Sequence, residues 1–527
     1  SEYENLLGII SMKYQINSTS FIQAELTSSD YLAQQAGGLT DSQFIQNPRQ
    51  STRVRNWFAV DWNLYNVRYQ NEFSGGDKLS VSLFGLDASR SAVGYRGNPI
   101  DINSNPITAL DEQDLSGNYI SPRDLMIGEF NNIGLESKYL RSIVGSRVKQ
   151  TLLIGTKVYA ARNTAIQGAG STGSDAAFNS YSADYPAYPI QSSFTFPNFN
   201  ASLFAEDIIY LGDKLSITPG IRVEYIRTGI EGSYQAINYD LAGNPISNQT
   251  LTDERALERF FPLFGVGISY KSNRKLEYYG NISQNYRSVT FSDIRTVNPT
   301  FIIDPEISDE SGFTADFGLR GAIGDYFSYD ASLYSIYYAD RIGIVLDDRA
   351  NRVRKNIGVA LISGLETLVE YNLSKHRFPD SNWKVKGFLN TALTDARYLS
   401  SEEVNVEGKV VEFVPFLNLK SGFSLGWKQL IASLQYGRIS KQFTDVQNSD
   451  VAAANSLRDG IIGPIPGYGV FDFTISYRYR RISAQFMINN MSNVEYFTRR
   501  ATGYPGPGII PSEGRGYYLS LTYEIIK

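Results

Sequence analysis

Residues 471–489 read FDFTISYRYRRISAQFMIN. Phe471, Phe473, Ile475, Tyr477 and Tyr479 alternate with Asp472, Thr474, Ser476, Arg478 and Arg480, a period of two that belongs to a strand with one apolar and one polar face. The alternation resumes at once in Ile482, Ala484, Phe486 and Ile488 against Ser483, Gln485, Met487 and Asn489, so two strands share a very short connection. Tyr517, Leu519, Leu521, Tyr523 and Ile525 supply a last strand. Leu215, Ile217, Pro219, Ile221, Val223 and Tyr225 repeat the pattern against Ser216, Thr218, Gly220, Arg222 and Glu224.

Outward from these strands the connections fall into two sizes. Asn17–Ser20, Ser74–Asp77, Gly145–Ser146, Asn273–Lys275 and Phe378–Asn382 are short. Gln34–Arg53, Arg90–Arg123, Thr164–Asn198, Tyr239–Glu258, Ser449–Pro466 and Arg499–Gly514 are long and rich in Gly, Ser, Asn, Asp and Pro. Strict alternation of short and long connections is the signature of an outer-membrane barrel, with short periplasmic turns and long external loops. The pattern predicts roughly nineteen strands, against the even counts of single-chain bacterial barrels and the 22 of plugged transporters. The first strand, around Leu6–Tyr14, enters a short turn and so descends, as does the last. Parity therefore predicts that about three strands, with whatever precedes them, are missing from the barrel's beginning.

Composition agrees. The chain has 527 residues with Tyr 36, Phe 29, Gly 45, Cys 0 and His 1, and its mean hydropathy is -0.25. No stretch approaches the roughly 18 to 20 consecutive apolar residues of a spanning helix. A barrel gives the same bland average, because lipid-facing apolar residues alternate with polar ones. Without cysteine there is no thiol catalysis, thiolate metal site or disulfide. A net charge of -5 argues against a nucleic-acid partner. The one histidine, His376, lies beside the short turn 378–382, far from any external cleft, which disfavours serine hydrolysis; no catalytic or metal-binding set stands out, and an enzyme is not expected. No signal peptide opens the chain.

Ala36-Gly37-Gly38-Leu39-Thr40 followed by Gln50-Ser51-Thr52-Arg53, then Ile217–Arg222, Ser363-Gly364-Leu365-Glu366-Thr367 and Asn493–Arg500, resemble ferric citrate TonB-dependent receptors in order and spacing. The resemblance runs from near the first residue to the last strand. It implies an all-β, antiparallel transmembrane barrel of the 22-stranded type, one domain over 1–527, with about nineteen strands present and the N-terminal plug absent. It also implies residence in the bacterial outer membrane among lipid and lipopolysaccharide. Import would be energised by the TonB-ExbB-ExbD complex through a missing N-terminal segment. The cargo would be an iron chelate, with iron as substrate and no cofactor.

Two ligand-binding arginines of the family have counterparts at Arg90 and Arg123. Ferric citrate is rich in carboxylates, and a guanidinium fork binds a carboxylate bidentately. Ordinary solvated loop arginines would look the same in sequence. Arg53, Arg96, Arg287 and Arg341, in external loops or near strand tops, are weaker candidates for a positive funnel. Two departures bear on the ligand: 189–198 holds no Arg or Lys where a third arginine belongs, and a family glutamine is unmatched near Leu346 and Asp347. Those departures keep open another ligand, such as a siderophore, oligosaccharide or peptide, and a partner-binding barrel without transport. Asp111-Glu112 and Asp347-Asp348 are acidic pairs with no further sign of a cation site.

Overall fold

The structure, a computed structural model, describes residues 2–95, 105–145, 148–188, 190–239, 245–290, 293, 301–346, 352–450, 459–501 and 507–525. Its first strands are β1 (Tyr3–Gln15), β2 (Ser20–Gln35), β3 (Asn56–Glu72), β4 (Lys78–Gly94), β5 (Asp124–Val144), β6 (Lys149–Ala169) and β7 (Ser192–Leu211). There follow β8 (Leu215–Tyr239), β9 (Pro245–Asn273), β10 (Leu276–Arg287), β11 (Phe301–Ile303), β12 (Glu310–Ile323), β13 (Phe327–Leu346), β14 (Arg352–Asn372) and β15 (Trp383–Ser401). The chain ends through β16 (Leu417–Trp427), β17 (Leu430–Ile439), β18 (Tyr468–Tyr479), β19 (Ile482–Asn489), β20 (Phe497–Ala501), β21 (Gly508–Pro511) and β22 (Gly516–Tyr523). Two short helices, α1 (Asp41–Gln46) and α2 (Leu373–Arg377), sit in connections.

Nineteen of the described strands form one antiparallel meander, each paired with its neighbours in chain order. β11 adds a three-residue parallel pairing on β14, and β20–β21 is a separate hairpin in the last external loop. β1 pairs with β2 and β22 with β19, and no pairing joins β1 to β22 among the described residues.

Register shows why these residues form strands. One face carries Phe423, Leu434, Phe473, Ile488 and Tyr517, directly opposed across five consecutive meander strands. Phe317, Leu333, Leu365 and Leu393 do the same farther back. Leu333, Phe317 and Leu434 are exposed; such an outward apolar band needs lipid, since water would oppose it. The other face carries Arg68, Ser82, Glu136, Lys157, Ser202 and Glu224 in a single row across β3–β8. That polar face is the lumen.

The strands reach farther outward than alternation suggests. The expected loop Tyr239–Glu258 is instead a long hairpin: β8 runs to Tyr239 and β9 starts at Pro245, with Tyr234 opposite Leu251 and Gly229 opposite Ala256. Above the membrane a ladder is held by its backbone hydrogen bonds and needs no apolar face, so the period-two signal fades while the strand continues. The loops expected at 90–123 and 164–198 shorten likewise, because β4 reaches Gly94 and β6 and β7 extend to Ala169 and from Ser192.

Outer loops bring the chain's two ends together. Leu39 exchanges backbone hydrogen bonds with Ile509 at 2.8 and 2.9 Å and packs with Ile465 and Phe497. Gly38 has no alternative here: a Cβ would stand 2.1 Å from the carbonyl oxygen of Pro507. Thr40 caps α1 in a reciprocal capping box with Gln43. Thr52 Oγ1 donates to the Gly38 carbonyl at 2.9 Å. Arg500 grips Asp41 bidentately at 2.7 and 2.8 Å. Three of the islands that carry the family resemblance, 36–40, 50–53 and 493–500, therefore meet at one place on the rim.

Candidate functional site

External loops converge over the tops of β3–β6, where three arginines are buried side by side. Arg55 is fully buried. Its Nε and Nη2 hold Asp111 at 2.6 and 2.5 Å, and its remaining donors reach the carbonyls of Thr172 and Ser121 at 3.1 and 2.9 Å. Tyr119 covers the guanidinium face, 4.3 Å from the ring centroid. Asp111, one of the expected acidic pair, is thus committed to an arginine.

Arg123, also fully buried, spends every guanidinium donor on the protein. Nε donates to the Ser171 carbonyl, Nη1 to the carbonyls of Arg55 and Asp175, and Nη2 to Ser171 Oγ and Asp175 Oδ1. In this geometry Arg123 pins the 170–175 segment to the rim, and each of its donors is engaged within the protein. Arg53 is similarly engaged, donating to the carbonyls of Thr52, Pro106 and Ile107 and lying 5.2 Å from the Tyr95 ring. Burial pulls both Arg53 and Arg123 below the ordinary guanidinium value.

Arg90 differs in every respect. It stands on β4 opposite Val60 and Gly128, on the same face as Ser82 and hence toward the lumen. The side chain is exposed, and among the described residues its guanidinium lies over the Phe58 ring at 5.8 Å with no carboxylate partner. Farther along the meander, Arg287 is bound by Asp293 at 2.9 Å and Glu310 at 3.0 Å, and Arg341 by Glu412 at 3.2 Å, with Tyr398 also donating to that carboxylate. Arg96 and the Asp347-Asp348 pair lie outside the described residues.

The structure therefore does not assemble the five described arginines of the expected six into one cluster. Arg53 and Arg123 shape the rim, Arg287 and Arg341 are ion-paired at the outer parts of β10 and β13, and Arg90 is exposed. Arg55, which organises the rim, was missed; the Arg53-Val54-Arg55 spacing was its only trace, and spacing carries no record of burial. His376 lies in α2 at a short turn, bonded to Tyr371 and stacked at 4.1 Å on Tyr326, away from all of this. Among the described residues no group of His, Cys, Asp and Glu has the arrangement of a metal site, and no helix is long and apolar enough to cross a membrane.

A family profile described as TonB dependent receptor-like, beta-barrel, matches residues 10–491. No curated protein matches the chain at significant sequence similarity. Solved structures do match in fold. The ferric citrate transporter FecA, unliganded, superposes with a TM-score of 0.77 at 19% identity, covering 99% of this chain and 70% of that one. The ferric yersiniabactin uptake receptor FyuA from Yersinia pestis gives 0.73 at 12% over 99% and 71%. The ferric-catecholate import receptor Fiu from K12 E. coli, closed form, gives 0.72 at 11% over 99% and 74%.

Proposed function

This chain belongs to the TonB-dependent receptor-like β-barrel family, a family of the bacterial outer membrane, and on that premise we propose that it imports an iron chelate, with ferric citrate or a similar anionic complex as cargo. Energy would come from the TonB-ExbB-ExbD complex. The observation that carries the ligand reading is Arg90, an exposed, luminal guanidinium with no carboxylate partner among the described residues, flanked by Phe58. A fork of that kind in a partly enclosed lumen binds a carboxylate-rich complex through charge-assisted hydrogen bonds. The similarity to FecA, whose name states ferric citrate, supports the same choice.

Titrating ferric citrate into the intact receptor purified in detergent, with iron-free citrate as comparison, tests this. Saturable binding of the iron complex alone is expected, and Arg90→Ala should weaken it roughly 10- to 100-fold, the worth of one or two charged hydrogen bonds. Unchanged affinity in the variant removes Arg90 from the site. Failure of ferric citrate to bind at all turns the reading to a second one, another chelate, oligosaccharide or peptide. That reading is favoured by the external loops, where Asp and Glu outnumber Lys and Arg and oppose the approach of an anion.

A further inference from the structure

The short-turn end of the barrel carries charge of the opposite sign. Arg274, Lys275, Lys428, Arg480 and Arg481 lie in those turns. At the far end of the same outward face, Asp30 stands directly opposite Asp61, with Asp87 and Glu129 on the next two strands.

Two of the cations have an unusual setting. Lys428 and Arg480 are the first central residues of the two-residue hairpins β16–β17 and β18–β19, and both have φ of 52°. Glycine or asparagine favours that backbone region, and a long side chain is strained in it. The strain places each cation over an aromatic residue: Lys428 Nζ lies 4.7 Å from the Trp427 ring and the Arg480 guanidinium 5.3 Å from Tyr479. Trp427, Tyr479 and their neighbours Trp383 and Tyr477 are exposed and share the lipid-facing side. Neither cation has a carboxylate partner among the described residues. The two tips are tied together, since the Arg478 N–H donates to the Gln429 carbonyl at 3.3 Å.

We propose that these two hairpin tips form a seat for the phosphodiester of an anionic phospholipid in the inner leaflet. The aromatic rings would lie at headgroup depth and the cations just beyond the acyl region, where amphipathic side chains settle at a membrane interface. The inference is independent of which chelate is carried.

The test uses the whole chain in detergent, native mass spectrometry, and titration with phosphatidylglycerol or phosphatidylcholine. The variant is Lys428→Gly, Arg480→Gly, because glycine accepts the positive φ and keeps the turns intact, which an unchanged thermal melt verifies. Phosphatidylglycerol should form adducts at several-fold lower concentration than phosphatidylcholine, and the variant should lose that preference. Arg162→Gly, near the outer end of the same face, should keep it. Equal binding of the two lipids, or a preference that survives the double variant, overturns the proposal. So does an equal loss in Arg162→Gly, which assigns the preference to net charge, or competition by soluble glycerol phosphate, which assigns it to the free anion.

Discussion

Arg90 and Arg123 rest on the same resemblance and lie on neighbouring strands' outer ends, yet the structure treats them oppositely. Arg123 has five acceptors for five donors and no solvent; Arg90 has solvent and the face of a ring. What separates them is the loop above. Residues 170–175 fold down over Arg123 and Arg55, supplying carbonyls that need donors, whereas nothing described lies over Arg90. A guanidinium is available to a ligand when the protein leaves its donors unspent, and residue type alone does not disclose that.

The contrast is broken most severely at Arg55. Arg55→Ala leaves the partly buried Asp111 without its partner, and the carbonyls of Thr172 and Ser121 without this donor. Because Asp111 keeps some solvent, the cost should fall at or below the roughly 3–5 kcal/mol of breaking a fully buried pair. The loss should be local, loosening 105–123 and 170–175 while the barrel ladder holds, because Arg55 ties the two segments to each other through Asp111, Ser121 and Thr172. Hydrogen exchange should accelerate across both segments and stay unchanged in β12–β15. Unaltered protection at 105–123 would show that the rim does not depend on Arg55.

A second, smaller perturbation comes from acid at the Asp41–Arg500 latch. Burial pushes the Asp41 carboxyl up, but the hydrogen bonds and charge of Arg500, with the Gly460 N–H, outweigh burial and hold it below the usual carboxylate range. A carboxyl depressed in the folded state contributes stability that is present above its unfolded value, about 3.9. That contribution is lost as pH falls through the folded value. Protection of 40–47 should thus be flat from pH 7 to about 5 and fall below about 4. Loss of protection already between pH 7 and 6 would contradict the latch.

Much of this architecture was legible before the structure. Alternation in Phe471–Asn489 gives two strands and their turn, and the short–long rhythm gives a barrel, because lipid on one side and water on the other impose period two wherever the membrane lies. The signal stops at the membrane's edge, and Tyr239–Glu258 reads as loop although Ser247–Glu258 pair residue by residue with Arg227–Asn238. The islands at 36–40 and 493–500 were visible as resemblance; that they touch was not, since Gly38 against Pro507 and Arg500 against Asp41 are contacts across more than 450 positions. The site was least legible. Arg53, Arg55 and Arg123 differ from Arg90 only in what the loops do, and no periodicity encodes loop closure.

The mildest test is the most discriminating for Arg90. Its side chain is solvated and has no ion-pair partner among the described residues, so truncation removes no buried contact; the change in stability should fall within about 0.5 kcal/mol. Thermal melting of Arg90→Ala should therefore overlay the parent, and exchange at 105–123 should not move. A marked fall in melting temperature would mean that Arg90 is as structural as Arg123, and any accompanying loss of chelate binding would then report rim collapse. An unchanged melt beside weakened binding leaves direct contact as the explanation, because the rest of the lumen is shown to be intact.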